Sequence, residues 1–107
     1  MSPDTAAKGF QAMGSDARLN VLLTLIRAGE GGLPVGEIQS RTGITASTLS
    51  HHIRVLVDAG VIEQRRSGRT TVTYAAYDHL SKLADFILSE CCVDDSIAKQ
   101  SNVAEQA

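Results

Sequence analysis

The segment from Pro34 to Tyr74 changes its apolar period once, at Gly60, and that change restricts the folds open to the chain. Before it, apolar residues recur at helical spacing in two short runs. Val35 and Ile38 face inward in the first run. Pro34 opens it as first helical residue, where a missing N–H costs nothing, and Gly43 closes it. Leu49, Ile53 and Leu56 form the stripe of the second run, with Thr45 as N-cap and Gly60 as stop. Two such helices joined by a turn of about three residues have the spacing of a helix-turn-helix. After Gly60 the pattern is that of strands: "VIEQRR", a tight turn at "SG", then the β-branched "RTTVTYAAY". A two-stranded hairpin is marginal alone, so this one must pack on the helices.

The flanks are helical. Residues 1–5 are expected to fray, and Ala6, Ala7, Phe10 and Met13 make one face of a short first helix. Ser15 is placed to cap the next, with Asp16 in its first turn and Leu19, Leu22, Leu23 and Ile26 at amphipathic spacing until the break "AGEGG". From Asp78 the helical period returns through Leu80, Leu83, Ala84, Ile87 and Cys91. The expected architecture is mainly α with a small β-hairpin: a winged helix-turn-helix with an extra helix at each end, occupying residues 1–96. The polar residues 97–107 are expected to be a disordered tail.

At 107 residues the chain fits one domain with a modest core, which a partner chain would help to complete. No basic segment and apolar run of signal-peptide kind opens it, and nothing approaches the roughly 18 apolar residues of a membrane span. A cytoplasmic protein without membrane contact is expected, with its two cysteines reduced. The net charge of −2 is unevenly spread. Arg41, Arg54, Arg65, Arg66 and Arg69 meet only Asp58 and Glu63 within residues 41–69, whereas the chain after residue 69 is acidic. A local basic footprint of this kind suits double-stranded DNA better than the total suggests. No nucleophile–base set, phosphate-binding glycine loop or carboxylate pair points to an enzyme, and no permanent cofactor is implied.

The outward side of the second helix of the pair carries Thr45, Ser47, Thr48, Ser50, His51 and Arg54. Short hydroxyls let a helix sit deep in a major groove, near phosphates and base edges. A face selected for solubility alone would use better helix formers such as Glu, Lys and Gln. The hairpin tip, "RRSGR", places Arg65, Arg66 and Arg69 around a turn, a composition suited to phosphate or a narrow minor groove. Such charges also discourage strand-to-strand aggregation, so the tip gains meaning from the helix beside it.

The stretches "AMGSDARLNVLLTL" and "GITASTLSHHIRVLVDAGVIEQRRSGRTTVTYAAY" resemble the ArsR/SmtB family of metal- and arsenic-responsive winged-helix repressors. The resemblance runs from residue 6 to about residue 90 and is most specific from Thr45 to Tyr74. It implies a homodimer joined by the first and last helices, repression by operator binding, and release by an effector. It also implies that Ser47, Thr48, Ser50, His51 and Arg54 meet DNA.

The family's common effector sites do not map onto this chain. Where one type carries Cys-x-Cys at the start of the third helix, the chain has "PVG". Where another binds zinc across the last helices, Asp78 and His79 are adjacent and no His-x-x-Glu follows. A thiol-redox type needs a cysteine near the second helix, which is missing. Cys91 and Cys92 remain, in "LSECCVDD". Thiolates select soft ions, and some family members sense arsenicals through adjacent cysteines near the end of the last helix. The pair is therefore expected to bind trivalent arsenic, inorganic or organic, or antimony, with a third thiolate from the other subunit as one option. On a regular helix the two side chains diverge by about 100°, so a frayed helix end favours chelation. Cys91 falls on the buried stripe and also reads as a small core residue; Cys92 does not. A regulator with a different effector or none, and a winged helix used for protein or RNA contacts, are the alternative readings.

Overall fold

The computed structural model describes residues 1–95. Five α-helices and three strands follow in order: α1 (Pro3–Met13), α2 (Asp16–Ala28), β1 (Leu33–Pro34), α3 (Val35–Thr42), α4 (Ala46–Asp58), β2 (Ile62–Ser67), β3 (Thr70–Ala75) and α5 (Tyr77–Leu88), then a 3₁₀ turn at Val93–Asp95. The sheet is antiparallel in the order β1-β3-β2. This is the expected winged helix-turn-helix with a helix added at each end. The tail expected over residues 97–107 lies outside the described residues.

The core gathers around one face of α4. Leu49, Ile53 and Leu56 meet Val21, Leu22 and Leu25 of α2 together with Ile38, Ile62 and Leu83. Each such side chain contributes about 1.5–3 kcal/mol by leaving water. The α2 stripe is rotated from the expected one: Leu19 is 40 % exposed, whereas Val21 and Leu25 are fully buried. Both sets satisfy helical spacing, and packing against α4 decides between them.

Three local expectations change. Residues 1–5 do not fray: α1 starts at Pro3, and the Ser2 hydroxyl accepts from the Thr5 N–H at 3.2 Å. Pro34 is the N-cap of α3 rather than its first residue, because with Leu33 it forms β1 and pairs with Val72 and Thr73 of β3. The hairpin thereby gains a third strand. Its turn is Gly68-Arg69, one residue later than expected, because Ser67 still pairs with Thr70 and Gly68 supplies the positive φ of 64°. Ser15 caps α2 as expected, accepting from Arg18 N–H at 3.4 Å, and Gly43 ends α3 at φ 73°.

The two terminal helices touch where α1 has no side chain. A Cβ on Gly9 would lie 2.9 Å from Leu83 Cδ1. Beside this contact α5 leaves Ile87 and Leu88 largely exposed, at 56 % and 66 %.

Entry into β1 requires Gly32. Its φ is 64°, and a Cβ would stand 2.6 Å from the Thr73 carbonyl oxygen and 2.7 Å from Tyr74 Cδ1. Gly32→Ala is expected to destabilise the fold by more than about 1 kcal/mol, because a backbone carbonyl in a strand cannot move aside. A urea melt of the variant checks this, and an unchanged midpoint contradicts it.

Candidate DNA-binding face and thiol pair

Burying Leu49, Ile53 and Leu56 turns the rest of α4 outward. Thr45, Ser47, Thr48, Ser50, His51 and Arg54 are all exposed. Residues 47, 50, 51 and 54 share one face by helical spacing. Thr45 occupies the N-cap position, but its hydroxyl donates to Thr48 Oγ1 at 3.1 Å and makes no cap hydrogen bond. The first-turn amides are thus left without a side-chain cap. Among the described α-helices, α4 alone has no acidic residue in its first turn. Nothing negative there opposes the helix dipole's attraction for an anion.

The wing divides its arginines by strand alternation. Gln64 and Arg66 project on the face they share with Thr73 and Thr71. Gln64 Nε2 donates to Thr73 Oγ1 at 3.1 Å and, with Ser50, Ile53, Arg54, Val57 and Val35, lines an open recess of about 280 Å³ between α4 and the wing. Arg65 projects on the opposite face. There it pairs with Glu63 at 2.5 Å and lies over the Tyr74 ring at 4.9 Å from its centroid. Arg69 sits in the turn itself. The structure therefore brings Ser50, Arg54 and Gln64 together and holds Arg65 apart from them. Gln64 was not singled out from sequence; its position two residues before Arg66 in an alternating strand was the available signal.

The histidines also separate. His51 is exposed, while His52 Nδ1 is buried without a hydrogen-bond partner among the described residues. Burial, then the Arg18 charge, then His51 hold the His52 pKa below the ordinary histidine value. His52 therefore packs as a neutral ring behind the face. His79 tucks its ring against Gly60, where a Cβ would lie 3.3 Å from Nε2.

The last helix, α5, stops at Leu88, one turn short of the expected reach through Cys91. The Ser89 hydroxyl donates to the Phe86 carbonyl at 2.8 Å, and Cys91 N–H donates to Leu88 O at 3.0 Å. Cys91 is consequently exposed and not part of the buried stripe, and Cys92 is exposed beside it. Cys92 has φ 62°, a left-handed conformation that costs a non-glycine residue about 1–2 kcal/mol. That backbone bend brings both sulfurs to the same side, with Sγ–Sγ 3.3 Å and no disulfide between them. Among the described residues no cluster of three or more His, Cys, Asp or Glu side chains is arranged to hold a metal. The site supplies two soft donors, both open to solvent.

Comparison with known proteins agrees with the winged helix-turn-helix fold. A helix-turn-helix domain family matches residues 13–65. The HTH-type transcriptional regulator NmtR of Mycobacterium tuberculosis is 38% identical over 80 residues, covering 74% of this chain, which spans 63% of that relative's length. A probable mercury resistance operon repressor of Streptomyces lividans is 32% identical over 97 residues, covering 90% of this chain and 73% of the relative. Among solved structures, the homodimeric winged helix-turn-helix DNA-binding domain of Mb0332 from Mycobacterium bovis, described as a possible ArsR-family regulator, superposes with a TM-score of 0.66 at 26% identity, covering 88% of this chain and 82% of that one. Among the described residues no helix is long and apolar enough to cross a membrane. With a helix-turn-helix, a basic wing and relatives that are transcriptional regulators, the chain belongs to the ArsR/SmtB family of winged-helix proteins, which are DNA-binding regulators and not enzymes.

Proposed function

We propose that this regulator is a homodimeric, cytoplasmic repressor, and that a trivalent arsenic or antimony species bound by Cys91 and Cys92 releases it from its operator. The observation that carries the reading is the pair of exposed sulfurs 3.3 Å apart. With a soft-ion–thiolate bond of about 2.3 Å, that separation corresponds to an angle near 92° at the bound atom. Such an angle suits a pyramidal trivalent metalloid. The Streptomyces lividans relative is named for mercury resistance. A linear dithiolate would need sulfurs about 4.6 Å apart, so mercuric ion would have to open the pair. Two thiolates leave one valence of a trivalent atom for a carbon substituent, a hydroxyl or a partner's thiolate.

The dimer reading rests on the apolar end of α5, exposed at Ile87 and Leu88, together with Val93 just beyond the helix. A second copy covering this surface would bring the metalloid site to the subunit boundary. Two-fold symmetry then calls for two half-sites about one helical turn, or a multiple of it, apart. DNA recognition is assigned to Thr45, Ser47, Thr48, Ser50, His51 and Arg54 on α4 and to Arg65, Arg66 and Arg69 on the wing. Gln64 is added because it lines the recess with Ser50 and Arg54.

Three outcomes are expected. Arg54→Ala should weaken operator binding by roughly 1–3 kcal/mol while leaving the fold intact; a DNA titration alongside a thermal melt measures both, and unchanged affinity moves the recognition face elsewhere. Arg66→Ala and Arg69→Ala should each lower the salt dependence of binding by about one unit of slope. Arg65→Ala should lower it less, because Arg65 is turned toward Glu63 and Tyr74. Finally, Cys91→Ser and Cys92→Ser should each bind the operator as tightly as wild type yet stay bound when a trivalent arsenical is added, with no loss of stability because both sulfurs are exposed. Release assays with arsenite, antimonite, phenylarsine oxide, mercuric ion and zinc decide this. Normal release of either variant by the arsenical refutes the thiol site.

A further inference from the structure

We infer that Cys91 and Cys92 are also a reversible oxidative modification site, which a peroxide closes into a disulfide within one protomer. Adjacent cysteines on regular backbone hold their sulfurs apart. Here the left-handed Cys92, at φ 62°, has already folded the chain so that the sulfurs stand 3.3 Å apart. Closure to a bond of about 2.05 Å needs only a short further approach. Both side chains are exposed, so an oxidant reaches them.

The chemistry balances in two steps. One sulfur, as thiolate, attacks the peroxide oxygen–oxygen bond; a sulfur–oxygen bond forms, the oxygen–oxygen bond breaks, and the other oxygen takes up the proton the thiol has given up and leaves as water, or as an alcohol from an organic peroxide. The neighbouring thiol then attacks the oxidised sulfur. The sulfur–sulfur bond forms, the sulfur–oxygen bond breaks, and the hydroxyl leaves with the attacking thiol's proton as water. The two thiols lose two electrons and the peroxide gains them. Proximity favours this second step over capture by another molecule or further oxidation. A ring closed by adjacent residues is strained, and strained disulfides are readily reduced. Cellular thiols would therefore reopen it.

In the closed form neither sulfur is a thiolate, so the metalloid has no ligands. Because the sulfurs move so little, the closed protein keeps its grip on DNA. An oxidised repressor would stay on its operator and ignore the effector. This consequence for gene control rests on the metalloid reading; the disulfide itself does not.

The test uses the full chain, reduced and then exposed to near-stoichiometric hydrogen peroxide. Mass spectrometry under denaturing, non-reducing conditions should show a monomer lighter by two hydrogen atoms, with neither thiol open to alkylation and both restored by a phosphine reductant. Cys91→Ser and Cys92→Ser should instead give oxygen adducts or linked dimers. Bound to its own promoter DNA, the oxidised wild type should need at least tenfold more phenylarsine oxide for release than the reduced protein. Thiols that remain open to alkylation, or oxidation seen only as oxygen adducts or linked dimers in the wild type, overturn the inference. A disulfide in a protein whose reduced form ignores arsenicals overturns the metalloid reading alone. Release of the reduced protein without any disulfide overturns this inference alone.

Discussion

The burial of one stripe of α4 is the constraint on which the rest depends. Leu49 and Leu56 are fully excluded from water and Ile53 nearly so. A helix has a fixed angular period, so once those three positions point into the core, positions 47, 50, 51 and 54 must point out. The exposed polar side chains proposed to meet DNA are thus positioned by hydrophobic packing behind them. It follows that this face can vary its polar residues without disturbing stability, provided the stripe is kept. His52 marks the boundary between the two sides: its ring packs inward and is kept neutral, while its neighbour His51 is free to meet a ligand.

The wing follows the same logic with a different period. Strand alternation sends Arg65 and Arg66 to opposite faces although they are neighbours in sequence. On one face Arg65 spends its charge on Glu63 and its plane on Tyr74. Arg65 and Glu63 are both solvent-exposed, so the ion pair itself adds little stability. Its effect is to orient Arg65 away from the α4 side. On the other face, the hydrogen bond from Gln64 to the buried Thr73 hydroxyl fixes one edge of the recess beside Arg54. A basic tip with three arginines in sequence is therefore, in space, an asymmetric one.

The helix-turn-helix and the wing were legible in the sequence because their signals are local: Gly43, Gly60 and the switch of apolar period each act on neighbouring residues. What was not legible depended on distant partners. Two residues at Leu33–Pro34 carry no strand signal, and only pairing with Val72 and Thr73 makes them β1. Either of two stripes on α2 fits the helical period, and contact with α4 selects the one containing Val21 and Leu25 rather than Leu19. The end of α5 was misplaced for the opposite reason. The apolar period carries on to Cys91, yet Ser89 folds its hydroxyl back onto Phe86 and the helix stops at Leu88. The adjacency of the cysteines was plain from the sequence, but their convergence was not, because it depends on one unusual φ at Cys92.

If the pair is the effector site, as proposed, that convergence changes how an effector must act. Had the cysteines diverged on a regular helix, chelation would bend the helix end, and the bending would be the signal. Here the pair is already close, so capture of a metalloid requires little rearrangement, and the backbone strain at Cys92 is met on folding rather than on binding. A ligand shifts an equilibrium only by its differential affinity for the two states. If the thiol pair is equally ready in both, the difference must come from what the bound atom carries besides its two sulfur bonds. The turn that carries the two sulfurs is flanked by Leu88 and Val93, both largely exposed. In a dimer closed over the end of α5, a substituent at that point would press on the partner and alter the separation of the two α4 helices. A hundredfold loss of operator affinity needs about 2.7 kcal/mol of such coupling, comparable to the cost of uncovering one or two of those side chains. On that proposal the thiols would hold the effector, and the apolar residues around them would convert its presence into movement.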